Sequence, residues 1–166
     1  MYFFLGTNVK GVKRLLPTPK KFFITAASAE GHSKLTAFDN ALLKARIGNL
    51  HLLRVSSILP PGCEYDPDLE IPEGSLVPTA YGSIVSDVPG EIISASVAVG
   101  FSENTFGVIM EYSGRCTAEE AKAMITKMVE EAFATRKMNL VDIKVAVTQH
   151  KVEKIGCAFA AVPLWY

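Results

Sequence analysis

The stretch 50-LHLLRVSSILPPGCEY-65 decides how the chain is built. Leu50–Ser57 reads as a buried strand, an apolar run that closes on two consecutive serines. Ile58 and Leu59 can extend it, but no strand continues through Pro60-Pro61-Gly62. No helix is expected directly after this break. A loop rich in Pro, Asp and Glu runs through Asp66–Gly74, and further strands are expected around 75–87, 91–101 and 105–112. Asp87-Val-Pro-Gly90 and Ser102-Glu-Asn104 are the turns between them.

Upstream, Phe22, Phe23, Ile24 and Thr25 predict a strand over 21–28, closed by Ala29-Glu30-Gly31. Leu35, Phe38, Leu42 and Ala45 share one helical face, so a helix is expected over 36–47 with Gly48 as its stop. Downstream, 117-TAEE-120 is a capping box. It opens the strongest helix in the chain, with Ala121, Met124, Ile125, Met128, Val129, Ala132 and Phe133 at core spacing. Strands near 141–150 and 155–161 close the sequence. The order β-α-β-β-β-β-α-β-β does not alternate as a doubly wound parallel sheet would. It predicts an α+β fold, a layered α/β sandwich of the αββα type with largely antiparallel sheets, in a single domain over 1–166.

The bulk numbers narrow the function. With 17 basic and 17 acidic residues the formal charge is zero, which argues against a general nucleic-acid binder. The basic residues Lys10, Lys13, Arg14, Lys20 and Lys21 cluster near the start and read as a solvated leader. No apolar run reaches the ~18–20 residues of a membrane span, and 1-MYFFL-5 is too short for a signal-peptide core. Cys63, Cys116 and Cys157 show no CxxC spacing, so reduced thiols in a cytoplasmic protein are expected. His32, His51 and His150 lack ligand spacing, so no metal site is expected. GxGxxG, P-loop, HExxH and GxSxG patterns do not occur.

What remains is the pair Ser56-Ser57 and two isolated carboxylates, Asp39 and Glu111. Each has a plain reading: turn residues before Pro60, an acid serving a helix dipole in its first turn, and a solvent-facing strand end. The residues alone leave these readings open.

Taken together, 36-TAFDNALLKARIGNLHLLRVSSILPP-61, 74-GSLVPTAYGSIVSDVPGEIISA-95, 108-VIMEYSG-114 and 152-VEKIGCAFAAVPLWY-166 resemble the pyruvoyl-dependent arginine decarboxylases. The similarity runs from about residue 22 to Tyr166. It implies that the serine pair is a self-cleavage site. Ser57 Oγ would attack the Ser56 carbonyl in an N-to-O acyl shift, β-elimination would leave dehydroalanine, and loss of ammonia would leave a pyruvoyl group. The products would be a 56-residue β chain (1–56) and a 110-residue α chain (57–166), interleaved in one fold.

The same resemblance implies that the covalent pyruvoyl group, with no metal and no pyridoxal phosphate, forms a Schiff base with L-arginine and accepts its electrons as carbon dioxide leaves, giving agmatine for polyamines. Glu111 matches the general acid, which needs a carboxyl kept protonated, and its neighbours Ile109, Met110 and Tyr112 would raise its pKa by desolvation. Asp39 matches the residue that pairs with the guanidinium, and Glu30 is a second candidate. The family pattern has asparagine six residues before the pyruvoyl serine, where this chain has His51. Strand alternation puts His51 on the face of Ser57, and an imidazole there can polarise a carbonyl or take a proton, so His51 joins the expected self-cleavage set. A trimer, or two trimers paired as a hexamer, is implied, with sites between subunits. The alternatives are a pyruvoyl decarboxylase of another amino acid and a non-processed structural or binding homologue.

Overall fold

Two β-sheets lie face to face, each covered on its outer side by one helix, in a computed structural model that describes residues 17–166. The leader residues Lys10, Lys13 and Arg14 lie outside the described residues. The first sheet is built from β1 (Lys21–Phe22), β2 (Thr25–Glu30), β3 (His51–Arg54), β5 (Glu64–Tyr65), β6 (Leu76–Ser86) and β10 (Gly156–Trp165). Its order is β3-β6-β10-β1-β5, with β2 also on β10. The second sheet holds β4 (Ile58–Leu59), β8 (Gly107–Gly114), β7 (Ile92–Phe101) and β9 (Asp142–Lys151), in that order and all antiparallel. In the first sheet β3–β6 and β1–β5 are parallel and the other pairs antiparallel. The α1 helix (Lys34–Lys44) packs on β2, β10 and β6, and α2 (Ala118–Arg136) packs on β7, β8 and β9. The arrangement is of the α+β class.

Burial explains why the strands read as almost unbroken apolar runs. In β10, Ala158, Ala160, Val162 and Leu164 face the second sheet, while Cys157, Phe159 and Ala161 face α1. In β7, Ile93, Ala95, Val97 and Val99 face the first sheet and Ala98 faces α2 beside Ile125, Val129 and Phe133. Strands covered on both sides carry apolar residues at both parities. Each fully buried Phe or Ile contributes about 1.5–3 kcal/mol, so the core between the sheets fixes their separation and the two outer cores seat the helices.

Several expected boundaries move, each for a physical reason. The strand expected over 21–28 is two strands, β1 and β2, in one continuous register against β10, and the gap falls opposite Pro163, which has no N–H to donate. The first helix starts earlier than expected because Ser33 caps it: Ser33 Oγ accepts from the Thr36 N–H and Thr36 Oγ1 accepts from the Ser33 N–H. Asp39 therefore stands in mid-helix, not in the first turn. The helix ends before Gly48, at a left-handed Arg46 with φ 67°. An arginine there costs about 1–2 kcal/mol in backbone conformation. Its guanidinium offsets this by donating to Pro67 O at 3.0 Å and Leu69 O at 3.1 Å. The capping box at Thr117 opens α2 as the sequence predicts. Met124, expected in the core, is 45% exposed, because the helix buries the stripe Ala121–Ile125–Val129–Ala132 instead.

The largest departure concerns the opening stretch. The strand expected over 50–57 ends at Arg54, and the chain crosses to the other sheet before β4 begins at Ile58. Ser56 and Ser57 are therefore not strand residues. The alternation argument that placed His51 on the face of Ser57 fails with the strand. Among the described residues no helix is long and apolar enough to cross a membrane.

Candidate active site

The serine pair sits at the step between the two sheets. On its amino side the Val55 N–H still donates to Thr79 O of the first sheet at 3.2 Å. On its carboxyl side Ser57 O accepts from the Ile109 N–H of the second sheet at 2.9 Å. The Ser56–Ser57 peptide spans the interval. The Ile58 N–H donates to Ser56 O at 2.9 Å, closing a three-residue turn with Ser57 at its centre.

Glu111 lies in β8, whose register with β7 pairs it with Val97. The side chain of Glu111 points between the sheets, where Ser57 Oγ donates to Glu111 Oε2 at 3.3 Å. Burial there penalises the carboxylate and raises the Glu111 pKa above its ordinary value. The Ser57 hydroxyl and the positive field of Arg54 act in the opposite sense but do not cancel the rise. The pair thus couples a hydroxyl group to a carboxyl group whose proton is held more tightly than usual.

Two residues that motif reasoning passes over shape this pair. Arg54 donates from Nη2 to Tyr81 O at 3.2 Å, with its guanidinium carbon 4.9 Å from the Tyr81 ring centroid. This fixes a cation close enough to act on Glu111. Gly82 faces Glu111 from β6, and a Cβ added there would lie 3.3 Å from Glu111 Cβ. Beside it Ser113 Oγ donates to Ser83 O at 3.0 Å, tying β8 to β6. The only sequence signals were a charge inside the apolar run 50–59 and a glycine within a strand.

The other predicted site residues are not gathered here within one chain. Asp39 is exposed on α1, which covers the opposite face of the first sheet from Glu111. His51 is exposed at the start of β3, and its N–H donates to Ser75 O at 2.9 Å. At about 3.3 Å per residue, β3 carries its far end roughly 10 Å onward before the serines are reached. Glu30 closes β2 against the β9–β10 turn. Its Oε1 pairs with His150 Nε2 at 2.6 Å and accepts from the Glu153 N–H at 3.0 Å. Its Oε2 accepts from the Lys154 and Ile155 N–H groups at 3.0 and 2.8 Å. Desolvation opposes ionisation of Glu30, but these donors outweigh it and hold its pKa at about 2.

A family model described as pyruvoyl-dependent arginine decarboxylase matches residues 21–166. The chain belongs to the pyruvoyl-dependent arginine decarboxylase family. A curated relative of that description from Methanocaldococcus jannaschii is 49% identical over 164 residues, covering 98% of this chain and 99% of the relative. Another from Thermococcus sibiricus is 51% identical, covering 87% of this chain and 94% of its own length. A third from Pyrococcus abyssi is 50% identical, covering 89% and 96%. The family match takes in Ser56, Ser57, Glu111, Asp39 and Glu30 together.

Proposed function

We propose that this chain cuts itself between Ser56 and Ser57, converts Ser57 to a pyruvoyl group, and decarboxylates L-arginine to agmatine and carbon dioxide. The observation that carries the reading is the meeting of Ser57 and Glu111 in the gap between the sheets, in a chain that the family model covers from residue 21 onward. The local chemistry suits the group: a half-buried serine hydroxyl, its preceding carbonyl at an exposed turn, and a carboxyl whose pKa burial raises.

Cutting there would separate β1, β2, α1 and β3 from the rest of the chain. The fragments 1–56 and 57–166 would stay interleaved, because β2 pairs with β10 and β3 with β6 across the cut. The pyruvoyl carbonyl supplies the electron sink for the pair released as carbon dioxide leaves. Glu111 holds a proton beside that position and delivers it to the substrate α-carbon.

Asp39 binds the guanidinium, a planar fork that matches a carboxylate. We assign this to Asp39 and not to Glu30, whose two oxygens already serve four donors. Since α1 and Glu111 lie on opposite faces of the first sheet, Asp39 reaches a pyruvoyl site only from a second copy. Asp39 is flanked on the outer face of α1 by Leu35 (75% exposed) and Leu43 (50% exposed). The edge strand β3 and its neighbours expose Leu53 and Leu76 as well. These surfaces support a homo-oligomer, a trimer or a pair of trimers. His51, near that edge, would then sit at the subunit contact. Cys63, Cys116 and Cys157 are free thiols, which suits a reducing cytoplasm.

The test is turnover by the purified, processed protein. Arginine should yield agmatine and carbon dioxide in equal amounts, with ornithine and lysine much poorer substrates. A pyruvoyl-bearing protein that leaves arginine untouched but consumes another amino acid would overturn the substrate assignment.

A further inference from the structure

We propose that the backbone N–H of Ile58 is the oxyanion donor for self-cleavage. This rests on the cut at Ser56–Ser57 proposed above and identifies the group that would drive its first step. Attack by Ser57 Oγ on the Ser56 carbonyl carbon forms a new C–O bond and pushes the carbonyl π pair onto Ser56 O. When that pair returns, the Ser56–Ser57 C–N bond breaks, and the serine nitrogen takes the proton lost by the hydroxyl. The resulting ester then loses the Ser57 α-proton and its carboxylate, and one water replaces the nitrogen as ammonia leaves. The first step has the least help from serine chemistry, because the amide oxygen must carry a full negative charge.

The Ile58 N–H already stands 2.9 Å from that oxygen. It belongs to the very next peptide, in the same tight turn, so it follows the oxygen as the carbon becomes tetrahedral. In the ground state it is an ordinary neutral hydrogen bond. Once the oxygen is charged, the same bond is roughly twice as strong, which is what selective stabilisation of a transition state requires.

Nearby side chains are less suited to the task. Glu111 carries negative charge or none, and it accepts from the Ser57 hydroxyl at 3.3 Å. Arg54 is turned to Tyr81, donating to its carbonyl at 3.2 Å. The anchors on either side, Val55 to Thr79 O at 3.2 Å and Ile109 to Ser57 O at 2.9 Å, hold the flanks to two different sheets and keep the turn closed between them.

Two variants remove this donor and share nothing else. Ile58→Pro deletes the N–H and keeps the amide carbonyl of Ser57. Replacing residue 58 with the α-hydroxy acid analogue of isoleucine keeps the side chain and swaps the N–H for an ester oxygen. Ile58→Ala is the control that loses side-chain packing and keeps the donor. Each full chain is made by cell-free translation, its fold checked by thermal unfolding, and its uncut fraction followed over time by intact mass.

Loss of one oxyanion donor costs on the order of 100- to 1,000-fold in rate. The proline and ester chains should therefore fold and cut at least about 100-fold more slowly than wild type, with Ile58→Ala within about threefold of it. A folded ester chain that cuts at the wild-type rate overturns the proposal, and so does an alanine chain slowed as much as the other two. Should the proline chain fail to fold, the ester chain decides alone. A wild-type chain that never cuts would instead remove the self-cleavage reading on which the proposal stands.

Discussion

Ser57 and Glu111 lie 54 positions apart in the chain, yet the hydroxyl of one donates to the carboxylate of the other at 3.3 Å. The contact exists because β4 enters the second sheet beside β8, with Ile58 paired to Val108, immediately after the chain leaves the first sheet. A strand running straight through the serines would have kept Ser57 on the first sheet.

Glu111→Gln should lower kcat for arginine about 100- to 10,000-fold in the processed protein, the usual contribution of a positioned general acid, with KM little changed. Burial raises the Glu111 pKa, so the protonated acid persists above the ordinary 4.5, and kcat should fall as pH rises through the raised value. The same shift makes ionisation costly to the fold: stability is fully present below about pH 4.5 and is lost as pH rises through the raised pKa. Glutamine removes that cost, so its melting temperature should exceed wild type at pH 8 and match it more closely at pH 4. Equal kcat values for the two proteins would discard the assigned role.

Asp39→Asn tests the substrate contact. A charge-assisted hydrogen bond contributes about 1.5–3 kcal/mol, so KM for arginine should rise roughly 10- to 150-fold while processing and melting temperature stay put. Steady-state kinetics with arginine reads this directly, and an unchanged KM would return the guanidinium to another group.

Gly82→Ala tests the spacing of the sheets at the site. The added methyl would stand 3.3 Å from Glu111 Cβ, closer than most Cβ contacts, so β8 must give way by a few tenths of an ångström. Small misplacements at a reacting centre are expensive. We expect kcat to fall about tenfold, with KM changed little and the pH profile of kcat displaced. A loss confined to melting temperature would make Gly82 merely a packing residue.

Glu30→Gln should destabilise the fold by about 2 kcal/mol at pH 7, as charge-assisted bonds to the β9–β10 turn are lost. The folded Glu30 pKa is depressed from 4.5 to about 2. Its stabilisation is therefore present above pH 4.5 and lost as pH falls towards 2. Wild-type melting temperature should drop over that window more steeply than the variant's. A short network underlies this, because Gly156 leaves room for His150 and Glu30 that a Cβ would fill, lying 2.8 Å from His150 Nε2 and 2.9 Å from Glu30 Oε1.

The parts of this fold legible in the sequence were those with local causes. The Thr117 capping box and its apolar stripe announced α2, and two-sided burial made β7 and β10 nearly unbroken runs of apolar and small residues. What escaped depended on distant partners. Whether Val55–Ser57 continues a strand is decided by Thr79 and Ile109, which offer bonds from two different sheets. The early start of α1 comes from the Ser33–Thr36 capping box, which the apolar spacing of the helix face does not mark. At the site, Ser57 and Glu111 stood out through the stretches that carry the family resemblance. Gly82 and Arg54 meet Glu111 through space, and a strand glycine and a charge in an apolar run do not name that partner. Glu30 was a second candidate for the guanidinium, and its actual donors, Glu153, Lys154 and Ile155, come from more than 120 positions away.

The central claim is that Ser57 becomes the cofactor, and the intact mass of the purified, denatured protein tests it most directly. Two fragments split after Ser56 are predicted, the larger lighter by one ammonia than a chain beginning with serine. Ser57→Ala should give a single uncut chain. A wild-type protein that runs as one uncut chain, or a larger fragment with the full serine mass, would contradict the account.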